Sequence, residues 1–132
     1  MADCLQRLIG MCAIGLWWST CSSPIIAEEP AAEDLAFFEA KIRPVLVREC
    51  YECHSADADE IEGGLALDTR IGIQKGGERG PAVVPRDASK SLLIEAIRHT
   101  EDDLQMPPDR KLPDDVIADF ERWIAMGAPD PR

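Results

Sequence analysis

Residues Arg48 to Ala56 read RECYECHSA, two cysteines separated by two residues with a histidine directly after the second. Those residue types at that spacing support four kinds of chemistry. Cys50 and Cys53 can close a disulfide, act as a redox dithiol, supply part of a zinc site with His54, or fix a haem to the chain. Each reading carries its own requirement. A loop this short removes little unfolded-state entropy, so a disulfide here adds little stability. A redox dithiol wants its thiolate at a helix N-terminus, whereas the apolar periodicity puts a helix before Cys50. Structural zinc takes four ligands; the chain offers Cys50, Cys53, His54 and at most His99, with no second cysteine pair. Covalent haem needs what is present: two thiols for the two vinyl groups of one porphyrin, and an imidazole in the next position to reach the iron. The spacing favours this last reading.

Haem iron has a second axial position, for which the chain offers several groups. Met106 lies in LQMPPDR, where the two following prolines hold it extended and stiffen the loop. His99 would give bis-histidine ligation, although AIRHTED at a helix end reads more simply as a solvated residue on the helix dipole. Met126, beside Gly127, reads as packing. An axial methionine raises the reduction potential, and a position left open binds small ligands such as CO or NO.

The elements that must position these residues are helices joined by Gly- and Pro-rich loops. From Glu33, Leu35, Phe38, Ile42 and Leu46 recur at helical spacing. Pro44 predicts a kink or a restart, with the second piece delivering Cys50 at its end. A short helix follows Asp68 as N-cap and stops at Gly76 and Gly77. Another fits DASKSLLIEAIRH, capped by Asp87 or Ser89 and burying Leu92, Leu93, Ile94 and Ile97. The last opens at Pro113 and Asp114 and carries Val116, Ile117, Phe120, Trp123 and Ile124 on one face, with Gly127 and Pro129 closing it. GLALD and PAVVP have the composition of very short strands. The fold class is mainly α.

At 132 residues the chain is one domain. Its net charge of −11 argues against nucleic acid and anionic membrane surfaces as partners, with membrane association expected only through the N-terminal segment if it is uncleaved. Aromatic residues are 5% of the chain, thin for a small core and compatible with a bulky non-protein group inside it. Residues 1–27 have the build of a secretory signal: Arg7, then a strongly apolar Leu8 to Trp18, then small and polar residues up to a cleavage point after Ala27. That apolar run fits a signal core of about 7–15 residues and falls short of the roughly 18–20 that span a bilayer. Asp3 weakens the positive start, and Cys21 is a poor lipid-attachment site that keeps membrane retention open. Cleavage removes Cys4, Cys12 and Cys21, leaving Cys50 and Cys53. The expected organisation is a signal at 1–27, a short acidic linker at 28–36, the domain at 37–129 and a tail at 130–132.

From Phe37 onward the chain resembles the planctomycete-type cytochrome c domain, a branch of the monohaem cytochrome c superfamily. The carrying residues are FFEAKIRPVLVRECYECHS, GGLALDTRIGIQKGGERGPAVVP, SLLIEAIRH, MPP and KLPDDVIADFERWIAMGAP. The resemblance implies a compact cytochrome c-like fold of about four to five helices with crossing first and last helices. It implies one haem c held through Cys50 and Cys53, with His54 and Met106 on the iron. After Val84 the family usually has Pro-Gly-x-Pro, and here Pro85-Arg86-Asp87-Ala88 stands, so the shape of that turn is open.

The expected function is one-electron transfer outside the cytoplasm, in the periplasm or cell envelope, with a redox protein as partner and a monomeric chain. The alternative is a haem-containing sensor or accessory module of a larger exported protein. Catalysis is not expected, since there is one haem motif and no acid/base pair beside an open iron. Asp57, Asp59, Glu60 and Glu62 lower the potential and steer a basic partner, or simply form a solvated loop. The DADEIE run lacks the glycine and spacing of a calcium loop. GGERGP and MPPDR are expected to wall the haem crevice, with Arg79 or Arg110 as propionate partners.

Overall fold

A computed structural model describes residues 29–132. The segment read as a signal, with Cys4, Cys12 and Cys21, lies outside the described residues. The first helical rod runs from Ala32 to Glu49 in three parts: α1 (Ala32–Phe37), a π-helical turn (Phe38–Ile42) and α2 (Arg43–Glu49). No side chain caps α1, and Glu33 and Asp34 in its first turn complement the helix dipole instead. The rod therefore begins inside the stretch 28–36 that reads as a linker. The restart expected at Pro44 takes the form of the π turn, in which the Arg43 N–H reaches back to the Phe38 carbonyl. Proline has no N–H to offer and its ring crowds the preceding turn, and a widened turn accommodates both.

Helix α3 (Arg70–Lys75) is capped by Thr69, whose Oγ1 accepts from Gly72 N at 3.0 Å. Asp68, the expected cap, instead turns its carboxylate to Ala56 N at 2.9 Å. Gly76 ends the helix at φ 73, where a side chain would be strained and a Cβ would lie 2.4 Å from the Gly80 carbonyl oxygen. Helix α4 (Leu92–Arg98) follows a 3₁₀ turn (Ala88–Lys90), so neither Asp87 nor Ser89 caps it. Ser91 stands at its start, with the hydroxyl donating to Asp87 O and accepting from Val84 N. His99 closes α4 in the left-handed conformation. Helix α5 (Asp114–Ala125) follows Pro113 and is the longest. Among the described residues there is no strand: GLALD and PAVVP are not paired into a sheet, and only the bridges Gly77 to Gly80 and Glu101 to Leu104 occur.

The core forms where α5 meets the first rod. Phe38, Ile42 and Leu46 from the rod, Leu93, Ile94 and Ile97 from α4, and Ile117, Phe120, Trp123 and Ile124 from α5 are buried together. Leu35, Leu92 and Val116 are half-buried at its margin. The Trp123 ring lies 5.8 Å from Phe38 and edge-on to Phe120 at 6.2 Å, and its Nε1 donates to Pro129 O at 2.9 Å. The indole thus buries its apolar body and satisfies its one donor. Among the described residues no helix is long and apolar enough to cross a membrane.

Candidate functional site

The cysteines sit where α2 ends. Cys50 is its C-cap, and Cys53 N and His54 N both bond the Cys50 carbonyl, at 3.2 and 2.9 Å, winding Cys50 to His54 into one turn. Both sulfurs are free thiols, Cys50 half-buried and Cys53 exposed. Burial, with smaller contributions from the nearby Glu49 and Cys53, pushes the Cys50 thiol up to about 12. A redox dithiol needs the opposite, a depressed pKa at a helix N-terminus. A sulfur held as a neutral thioether would suit this half-buried position, which disfavours a thiolate.

His54 is oriented by the backbone of residues 62–67. Its Nδ1 lies 3.1 Å from the Leu65 carbonyl oxygen. A carbonyl only accepts, so Nδ1 is the donor in this contact and Nε2 is the ring nitrogen left for another partner. Leu67 N donates to His54 O at 2.7 Å, and Glu62 N to Cys53 O at 3.0 Å, so the segment grips the histidine through ring and main chain alike. That arrangement fits an iron-binding histidine, whose second nitrogen is normally fixed by such a partner. Among the described residues no three His, Cys, Asp or Glu side chains gather into a metal-holding cluster.

Further contacts fasten the turn from outside. Ser55 Oγ donates to Tyr51 O at 2.6 Å. Arg132 donates to the Tyr51 hydroxyl and to Leu67 O, and its guanidinium lies 4.9 Å over the Phe38 ring while paired with buried Asp130 at 2.6 Å. Residues 130–132, which read as a tail, are part of the scaffold. One Asp68 oxygen, Oδ1, is buried without a partner.

Met106 stands on a different wall. Its N–H donates to Ala96 O at 3.1 Å, the carbonyl that also receives His99 N at 3.2 Å, so the loop 99–106 is closed on the last turn of α4. Its side chain remains accessible, the residue being 38% exposed. His99 differs from the solvated residue its sequence context suggests: it is half-buried, and its Nε2 is out of contact with solvent and has no hydrogen-bond partner. Met126 is half-buried beside Gly127. Asp57, Glu60 and Glu62 are exposed and Asp59 is too. Arg79 and Arg110, the expected propionate partners, are paired with Asp103 and Glu49 respectively.

Two concavities lie elsewhere. One of about 350 Å³, lined by Arg70, Val83, Arg86, Met126 and Asp130 among others, includes none of Cys50, Cys53, His54 or Met106. An open groove of about 540 Å³ runs along the outer side of α2 and the cysteine turn, past Val47, Tyr51 and Asp57.

The family model for Planctomycete cytochrome C matches residues 50–110, a span that begins at the first cysteine and includes Met106. The match over these residues supports a planctomycete-type cytochrome c domain. No curated protein and no solved structure matches the chain. A cytochrome c family domain points to a haem-containing electron-transfer module, and the helical architecture of the described residues is compatible with such a fold. The residues that reading the sequence missed are those acting through space: the Leu65 carbonyl, Arg132 with Asp130, and Glu49 with Arg110. A main-chain acceptor has no sequence signature, and two of these links, Arg132 to Tyr51 and Arg110 to Glu49, join residues far apart in the chain.

Proposed function

We propose that this cytochrome c domain is a monohaem one-electron carrier that works outside the cytoplasm as a non-catalytic module. Cys50 and Cys53 form the thioethers, His54 supplies the proximal nitrogen and Met106 the distal sulfur. The haem supplies reversible one-electron chemistry at its iron. The chain's own residues do the rest. Leu65 O keeps the proton on Nδ1 of His54 and so presents Nε2 as a ligand; the main-chain bonds from Glu62 and Leu67 hold the ring's mount rigid. Ala96 O anchors the backbone of Met106. GGERGP and MPPDR wall the crevice, and the exposed acidic residues after His54 attract a basic redox protein and lower the potential. A monomeric chain in the periplasm or cell envelope completes the reading.

The observation that carries it is the hydrogen bond from His54 Nδ1 to Leu65 O in the turn holding both thiols. The unpartnered Nε2 of His99 favours a second reading, in which His99 takes the distal place and the protein is bis-histidine ligated. The test is expression with haem-attachment machinery, a denaturing gel stained for haem, and spectra of Met106→Ala and His99→Gln. Covalent haem is expected, with a far-red methionine-to-iron charge-transfer band that Met106→Ala abolishes and His99→Gln preserves. A band free of haem stain overturns the whole reading, and loss of the distal ligand in His99→Gln alone transfers the role to His99. Ready CO binding by the reduced wild type speaks for a sensor or accessory module.

A further inference from the structure

Among the hydrogen bonds of the described residues, one pair of side chains joins the Met106 loop to the cysteine-bearing helix. Arg110, four residues after Met106, places a single guanidinium nitrogen 2.8 Å from both carboxylate oxygens of Glu49, the residue immediately before Cys50. Among the hydrogen bonds of the described residues, this is the one that ties the loop 105–111 to the first rod or to the segment gripping His54. The other anchors of that loop lead elsewhere: Met106 N to α4, and Lys111 to Asp114 at 2.8 Å within its own neighbourhood.

The pair is not an ordinary surface contact. Exposed ion pairs contribute little because water and salt screen them and side-chain entropy opposes them. The Arg110 side chain is 58% exposed, but the Glu49 side chain is only 7% exposed, and a second guanidinium, Arg48 through Nε at 2.7 Å, also donates to it. A carboxylate with so little access to water is costly to leave half-paired, which favours its bond to Arg110 over an open loop. By contrast Arg79 and Asp103, which link the 77–80 turn to the 101–104 turn, are both more than half exposed.

We propose that Glu49 and Arg110 form a clasp that holds the Met106 loop against the cysteine-bearing helix and thereby sets how readily the distal position opens to an outside ligand. The role of Arg110 is positional, acting through Met106. The proposal rests on the ligation given above, and it makes the balance between electron carrier and ligand binder a property of one ion pair. With the clasp made, the thioether is held in place; with it broken, the loop keeps its attachment to α4 and swings from the other wall.

The test uses the haem-loaded chain with Arg110→Gln, Glu49→Gln and the conservative Arg110→Lys. Two quantities are read: the rate of CO binding to the reduced protein, and amide deuterium uptake in the peptide spanning residues 104–112. Losing a charge-assisted bond of about 1.4 kcal/mol or more gives about a tenfold rise in both for Arg110→Gln and Glu49→Gln. Arg110→Lys falls between, since an ammonium keeps the charge on a shorter side chain. Far-ultraviolet circular dichroism and covalent haem stain stay at wild-type values. Uptake and CO rate both unchanged in Arg110→Gln overturn the clasp. A wild type without the methionine band overturns the ligation instead, and deuterium uptake alone then judges whether the clasp holds the loop.

Discussion

Arg86 holds a backbone conformation that suits glycine better than a residue with a side chain. It adopts φ 68, in the left-handed region, with its N–H on the Ile124 carbonyl at 2.8 Å. The resemblance places glycine at this point of the turn, so the turn keeps a glycine-like conformation although a side chain now occupies it. A left-handed L-residue costs about 1–2 kcal/mol, partly offset because glycine has more unfolded-state freedom to lose. Arg86→Gly is therefore expected to stabilise the haem-loaded protein by up to about 1 kcal/mol, and Arg86→Val, β-branched at the same φ, to destabilise it. Denaturant midpoints of the two variants check this; an equal loss in both would place the value of Arg86 in its guanidinium rather than its backbone.

Elements in this fold are held as much by the segments packed behind them as by their own periodicity. The first rod, the segment 65–67 and residues 129–132 converge behind the cysteine turn, and Arg132 joins all three through Phe38, Tyr51, Leu67 and Asp130. Asp130 is 3% exposed, so removing its cation leaves a buried charge unpaired. Arg132→Ala is expected to cost about 3 kcal/mol, within the range for breaking a buried pair. Arg132→Lys recovers only part of it, because an ammonium cannot reproduce several directed bonds. Thermal unfolding of the haem-loaded protein measures both, and a loss near zero in Arg132→Ala would show that the C-terminal segment merely rests on the turn.

For the whole molecule the governing quantity is charge. The net −11 of the chain is undiminished by removal of 1–27, where Arg7 and Asp3 cancel. At low salt a small cationic redox reagent is expected to exchange electrons about tenfold faster than an anionic one of equal driving force, because the summed field concentrates counter-ions at the surface. The ratio should fall towards unity at about 1 M salt, where the Debye length is about 3 Å. Stopped-flow rates over a salt series test it; a ratio insensitive to salt would remove the electrostatic argument for a basic partner.

Much of the molecule was legible from local pattern. Apolar spacing located the first rod, α4 and α5, and the turn from Cys50 to His54 is a local motif whose candidate chemistries can be listed from its spacing. Its limits were also local: Thr69 caps α3 where Asp68 was expected, since Asp68 is taken by Ala56 N, and the stretch read as tail is bound by Asp130 and Arg132. By itself the sequence determined which residues are proposed to attach a haem, because two thiols and an imidazole that close in sequence fall within one turn. Only the tertiary structure decided which nitrogen of His54 is left free, that Nε2 of His99 is buried without a partner, and what fastens the Met106 loop to the cysteine helix. Those depend on a main-chain carbonyl and on charges 61 positions apart, whose meeting is a consequence of packing and has no periodicity along the chain.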